Sequence, residues 1–296
     1  MRLWTHDRIV FPLPEGHRYP LAKYRLLREH AETQGHAVTE PEPVAWPALE
    51  AVHDPGFVAR MREGALTARE EKVLGLPWSP QLVLRARVGT QGTLEAARDA
   101  LRDGVGMVLG GGTHHAGRTS SRGYCVFNDV AVAAHALRFE GAAQRVLVVD
   151  CDVHQGDGTA ELLGPDPAAF TLSVQCERNY PCTRIPSDLD VELPAGTGDE
   201  LYLAALDGAL THALREFPAP DIAFFLGGVD PFEGDALGRL ALSRDGLRAR
   251  DELVLRRLRD AGVAVVATLA GGYAPDVRDI VALHAQTLAV VASYAP

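Results

Sequence analysis

The chain has 296 residues, 47% of them apolar, and a formal net charge of -10 at pH 7. That length and apolar content suit a single α/β domain over residues 1–296 with a large core, and the acidic balance argues against a broad nucleic-acid surface. No stretch is apolar for long enough to cross a bilayer, and the first residues lack a signal-peptide core, so a soluble cytoplasmic protein is expected. Four cysteines (Cys125, Cys151, Cys176, Cys182) show neither the density of a disulfide scaffold nor a CxxC pattern. Reduced thiols follow, with Cys176 and Cys182 the pair to inspect. Lys23 and Lys72 are the only lysines among 29 basic residues, a bias of composition rather than of mechanism.

The first part, to about Gly75, starts with a short apolar segment, continues through a basic stretch at residues 17–24 and a helix reaching His30, and is kept irregular by Pro41, Pro43 and Pro47 until a helix at 57–62. Ser79-Pro80 reads as an N-cap followed by proline at the first helical position, opening a helix that lasts to about Arg102. Beyond it, short β-rich apolar runs at 105–109, 145–149, 169–174, 222–226 and 263–269 read as buried strands. Helical patterns follow at 129–139, 200–217, 244–261 and 276–294. Strands alternating with helices predict a mostly parallel sheet covered on both faces.

Ligands in such sheets bind beyond the carboxyl ends of the strands, and the polar clusters of this sequence lie there. Gly110 to His115 follows the first run, Asp150 to Asp157 the second, Gly227 to Asp230 the fourth and Gly271 to Tyr273 the fifth. In an extended chain Asp150, Asp152 and His154 share one side while Cys151 and Val153 take the other. After them, Gly156 and Gly158 permit a sharp turn and Thr159 is a candidate start for the next helix.

Asp152, His154 and Asp230 offer two carboxylates and one imidazole, a set that leaves tetrahedral zinc one open position; magnesium and manganese also suit carboxylate-rich sites. His114 and His115, which follow three glycines and Thr113, are candidate bases, and Asp150 and Asp157 are spare carboxylates able to fix their tautomers. Tyr273 can donate a hydrogen bond to a developing oxyanion. His36, His53, His135, His212 and His284 read as isolated surface histidines.

Together these clusters resemble the zinc-dependent histone deacetylase superfamily, which includes acetoin-utilisation proteins and acetylpolyamine amidohydrolases. The resemblance runs from about His17 to the last helix. It rests on Gly111-Gly112-Thr113-His114-His115-Ala116, the stretch from Gly123 to Asp129, Asp150 to Thr159, Asp230 to Gly238 and Gly271-Gly272-Tyr273. The compact chain and Asn179-Tyr180-Pro181 look most like the class IV branch and its bacterial relatives.

The resemblance implies a three-layer α/β/α fold of the arginase and deacetylase type. It implies Zn2+ on Asp152, His154 and Asp230, with His115 as general base and then acid. His114 would be the electrostatic partner, Asp150 and Asp157 the orienting acids, and Tyr273 the group that polarises the acyl carbonyl. It also implies a structural monovalent cation, K+, on Asp150 and Ser173 with backbone carbonyls of Asp152, His154 and Val174. Gly123 and Tyr124 would line a channel for an acyl-lysine stem.

The implied activity is removal of an acetyl or longer acyl group from an acyl-lysine protein or peptide, or from a small acylated amine, without nucleic acid or membrane. A di-manganese ureohydrolase and a non-catalytic acyl-ligand binding protein are the competing readings. Residues 175–197 depart from the aromatic loop of class I members, and residues 74–79 show no rim aspartate. Lys23 lies near the position of the family's internal arginine and receives no role.

Overall fold

The computed structural model describes residues 1–296. In chain order the elements are β1 (Arg2–Trp4), α1 (Ala22–Thr33), β2 (Ala37–Thr39), α2 (Trp46–Glu50), α3 (Pro55–Glu63), α4 (Ala68–Leu74), α5 (Pro80–Asp103) and β3 (Val105–Val108). There follow α6 (Asp129–Phe139), β4 (Val146–Asp150), α7 (Asp157–Leu163), β5 (Ala169–Cys176) and β6 (Leu189–Leu193). The last are α8 (Asp199–Glu216), β7 (Ile222–Leu226), α9 (Arg244–Asp260), β8 (Ala264–Thr268) and α10 (Val277–Ala292).

The eight strands form one sheet in the order β2-β1-β3-β8-β7-β4-β5-β6, and every pairing is parallel. The five expected strands make its centre. The additional strands are the short β1 and β2 at one edge and β6 at the other. They escape an apolar-run reading because Ala37 and Thr39 are exposed and β6 carries Asp190 and Glu192.

Alternation along the central strands divides the interior between two helical layers. Leu147 and Val149 of β4 join Ala223 and Phe225 of β7 in a core closed by α1, α8, α9 and α10. Val146 and Val148 join Ile222, Phe224 and Leu226 in a second core closed by α2, α3, α5 and α6. This is a three-layer α/β/α sandwich. Strands buried on both faces need apolar side chains at every position, which accounts for the continuous runs in the sequence.

Local signals set several boundaries. Ser79 Oγ accepts from Leu82 N at 3.1 Å with Pro80 at the first helical position of α5, as its sequence predicts. The helix after β4 begins earlier than expected: Asp157 is the first residue of α7, while Thr159 lies inside it with its hydroxyl accepting from Asn128 Nδ2 at 3.0 Å. All four cysteines are free; Cys176 is buried and Cys182 exposed.

Candidate metal and catalytic site

β4 ends at Asp150, and an irregular segment carries the chain through Asp152 and His154 to α7. The alternation survives the end of the strand, because Cys151 and Val153 enter the apolar core and Asp152 and His154 take the polar side. One ligand atom from each of Asp152, His154 and Asp230 falls within 4.8 Å of the others, and all three residues are buried. His154 Nδ1 stands 2.9 Å from Asp152 Oδ1 and 3.2 Å from Asp230 Oδ2.

Backbone donors hold the outer sides of these carboxylates. Gly271 N donates to Asp152 Oδ2 at 2.7 Å and Val153 N to Asp230 Oδ1 at 2.9 Å. Asp230 Oδ2 is buried without a hydrogen bond. Burial, followed by the neighbouring Asp152 charge, pushes the Asp230 carboxyl up to about 7. Burial acts to lower His154, but Asp152 and Asp230 outweigh it and raise the imidazole to about 10. The carboxylate pair therefore draws positive charge to this point. Two oxygens and one nitrogen with an unpartnered oxygen among them fit a divalent cation. The glycines keep the space open, since a β-carbon on Gly228 or Gly271 would stand 2.6 Å from Asp152 Oδ2.

The two adjacent histidines lie beside this cluster, with ring centroids 4.1 Å apart, and each has its own acid. His114 Nδ1 meets Asp150 Oδ2 at 2.7 Å, and His115 Nδ1 meets Asp157 Oδ1 at 2.7 Å. Each contact places the Nδ1 proton against a carboxylate and turns Nε2 outward. The two imidazoles differ sharply in charge. For His114 burial is outweighed by Asp150 and Asp152, which hold it up to about 9. Burial and then the charge on His114 drive His115 down to about 3. The two imidazoles are thus pushed in opposite directions, His114 towards its charged form and His115 towards its neutral one.

Both groups open into a cavity of ≈ 330 Å³ whose walls include Tyr19, Tyr24, Gly123, Tyr124, Tyr180 and Tyr273. Gly123 (φ 55°) and Tyr124 (φ 67°) have left-handed backbones. A β-carbon at Gly123 would stand 2.6 Å from the His115 ring, so only glycine lets this wall approach His115. Tyr124 and Tyr273 are 5.9 Å apart. Burial raises the Tyr273 phenol well above its ordinary value, as do Asp152 and Asp230, so it remains a proton donor.

A family description, Histone deacetylase domain, matches residues 15–288. The chain belongs to the histone deacetylase family. It is similar to an uncharacterized protein of Picosynechococcus sp., 41% identical over 285 residues and covering 94% of each chain. It is also similar to Histone deacetylase 2 of Arabidopsis thaliana, 32% identical over 80% of this chain and 63% of that protein. With Polyamine deacetylase HDAC10 of Homo sapiens it is 31% identical over 76% of this chain and 37% of that protein. The crystal structure of the HDA15 HD domain superposes with a TM-score of 0.82 over 99% of this chain and 91% of that one; at 22% identity, that likeness bears on the fold alone. Membership of the family supports a deacetylase, a hydrolase that acts on amides.

Within this histone deacetylase fold, several supporting groups were not singled out by the sequence. Asp129 accepts from Gly112 N, Thr113 N, Thr113 Oγ1 and Thr93 Oγ1 at 2.6 to 3.0 Å, fixing the loop that presents the histidine pair. His53 is 1% exposed rather than on the surface: Nδ1 donates to Gly117 O at 2.8 Å and Nε2 accepts from Asn128 N at 3.0 Å. His284 is likewise buried, which leaves His36, His135 and His212 as the histidines outside the core among those read as isolated. Asp235 Oδ2 accepts from Tyr273 N at 2.6 Å.

Tyr180, within residues 175–197, lines the cavity with its ring perpendicular to His115 at 4.8 Å. Ser173, paired with Asp150 across β5 and β4, is buried and its hydroxyl has no partner. Val174, the next residue, points into the core. Lys23 is 2% exposed; its Nζ donates to Ala270 O at 3.3 Å and lies 5.8 Å from the Tyr273 ring. Burial lowers this ammonium to about 8 against the pull of Asp230, Asp152 and Asp235.

Proposed function

We propose that this chain is a zinc-dependent deacylase removing an acetyl or longer acyl group from an acylated lysine or a related amine. The observation that carries the reading is the convergence of Asp152, His154 and Asp230 beside two histidines, each on its own carboxylate. Asp152, His154 and Asp230 would hold the zinc, which when bound supplies a Lewis acid for the amide carbonyl and acidifies a water.

This chain's own residues do the rest. The neutral His115 accepts the proton of the attacking water at Nε2, while Asp157 holds its Nδ1 proton and orients the ring. Tyr273 donates to the carbonyl oxygen as it gains negative charge. The His114 imidazolium, balanced by Asp150, keeps a positive charge beside that oxygen. His115 then returns its proton to the departing amine, giving carboxylate and free amine.

Gly123, Tyr124 and Tyr180 would line the approach, where aromatic faces suit a methylene stem. The unpartnered Ser173 hydroxyl supports a second, monovalent cation, K+, held with Asp150 and the carbonyls of Asp152, His154 and Val174. We place the catalytic unit within residues 1–296, and its action in the cytoplasm, where the free cysteines would stay reduced.

A panel of acetyl-lysine, longer acyl-lysine and acetylpolyamine substrates, assayed with zinc-reconstituted protein, tests the reading. Turnover of at least one class, lost in Asp230→Ala together with the metal, is expected. Equal activity in that variant would overturn the site, and about two manganese ions per chain with urea release would favour the ureohydrolase.

A further inference from the structure

Arg250 of α9 is 0% exposed, an uncommon place for a guanidinium. Its charge is matched by Asp251, whose Oδ1 lies 2.7 Å from Nη2 and accepts from Nε at 2.9 Å. Thr287 Oγ1 of α10 donates to Asp251 Oδ2 at 2.7 Å, which ties the pair to a second helix. The remaining contacts of Arg250 leave the helical layer altogether. Nη1 donates to Cys151 O at 3.3 Å and also to Gly228 O.

Those two carbonyls belong to different strand ends. Cys151 directly precedes Asp152 after β4, and Gly228 lies two residues before Asp230 after β7. The loops also meet directly, because a β-carbon at Gly228 would stand 2.6 Å from Asp152 Oδ2 and 3.0 Å from Asp152 Cα. One rigid planar group thus spans the two backbones whose side chains form the Asp152, His154 and Asp230 cluster.

We propose that Arg250 is a positioning residue that sets the separation of the two ligand-bearing loops, and so the affinity and geometry of the metal site; this rests on the metal reading above. Arginine suits the role. Its fork satisfies a carboxylate and two carbonyls at once, whereas a lysine ammonium at the same place is a point donor on a flexible stem. The Asp251 and Thr287 contacts then anchor the fork to α9 and α10.

The test compares wild type with Arg250→Lys and with the double variant Arg250→Met/Asp251→Leu. The first keeps the charge opposite Asp251. The second removes both charges, a replacement that buried ion pairs often tolerate without loss of stability. Leu137→Ala, at a buried position of α6 that does not line the cavity, serves as a destabilised control. Zinc affinity is measured by chelator competition, geometry by the visible spectrum of the cobalt-substituted protein, and stability by thermal melting.

We expect both Arg250 variants to bind zinc at least about tenfold more weakly and to shift the cobalt bands, while Leu137→Ala melts earlier with affinity and spectrum unchanged. Unchanged affinity and spectrum in the Arg250 variants would overturn this inference alone, as would an equal loss of affinity in Leu137→Ala. A wild-type chain holding no more zinc than Asp230→Ala would overturn the metal reading and this inference with it.

Discussion

The floor and the rim of the cavity are built on different principles. The floor is made of strand ends and the residues directly after them, with Asp150, Asp152, His154 and Asp230 each tied to a backbone amide or a buried partner. The rim is made of the end of α4 with Gly75 after it, the segment around Tyr180, and Leu237. Its ties run largely to backbone carbonyls, such as Asn179 Nδ2 to Leu237 O at 3.1 Å and Tyr124 N to Leu74 O at 2.8 Å. A reaction needs fixed distances, which a sheet provides; a choice of substrate needs surfaces that vary, which loops provide. Substitutions in the floor should therefore abolish chemistry, and substitutions in the rim should redistribute binding.

The largest effect is expected at the candidate metal cluster, where Asp230→Ala removes one of the three proposed ligands; the loss of turnover should exceed the roughly 100-fold typical of an outer partner. Next is Tyr273→Phe, which keeps the ring and deletes one donor. The expected fall in kcat is about 100- to 1,000-fold with zinc content unchanged. Equal loss of both quantities would move Tyr273 from the chemistry to the scaffold. Asp129→Ala should follow. It leaves Gly112 N and Thr113 N without their acceptor and takes one of two acceptors from the Thr93 and Thr113 hydroxyls, so a lower melting temperature should accompany a reduced kcat.

His53 supports the floor from 75 residues away through Asn128 N, and its effect is on stability. Burial, opposed by the bond to Gly117 O, lowers it to about 4 from an ordinary value of 6.5. The folded state therefore holds it neutral where the unfolded chain takes up a proton. Its contribution is complete above about 6.5, declines as pH falls from there to about 4, and is constant below. A shift of this size corresponds to about 3 kcal/mol at most. Because His6 and His284 are lowered in the same direction, the test is the difference between the pH-stability curves of wild type and His53→Gln. A flat difference between pH 4 and 6.5 would count against the linkage.

The same contrast explains what the sequence disclosed. Asp150, Asp152, His154 and Asp230 are legible because each follows an apolar run whose end is itself legible, and Gly227 and Gly228 mark the turn. The pairing of His114 with Asp150 and of His115 with Asp157 follows from the resemblance, since residues 36 and 42 positions apart carry no local signal of contact. His53 and Asp129 act across 75 and 16 positions through backbone amides, which no side-chain pattern reports. Tyr180 sits in a proline-rich loop without periodicity, so nothing local announces that its ring faces His115.

Tyr180 also offers the sharpest test of where the floor ends. Its ring stands 4.8 Å from His115 and 6.2 Å from His154, yet its backbone belongs to the rim and the side chain is part exposed. If it serves as a wall for the substrate stem, Tyr180→Ala removes apolar contact made equally in the ground and transition states, so KM should rise about tenfold with kcat nearly unchanged. Tyr180→Phe retains the ring and should restore KM. If the ring instead holds the His115 imidazole in place, the alanine variant lowers kcat and leaves KM alone, and Tyr180 belongs with the floor. The split between the two constants, measured on one acyl-lysine peptide and one acetylpolyamine, also reads specificity: a wall that grips the stem affects both substrates alike, whereas a wall that contacts peptide backbone affects the peptide alone.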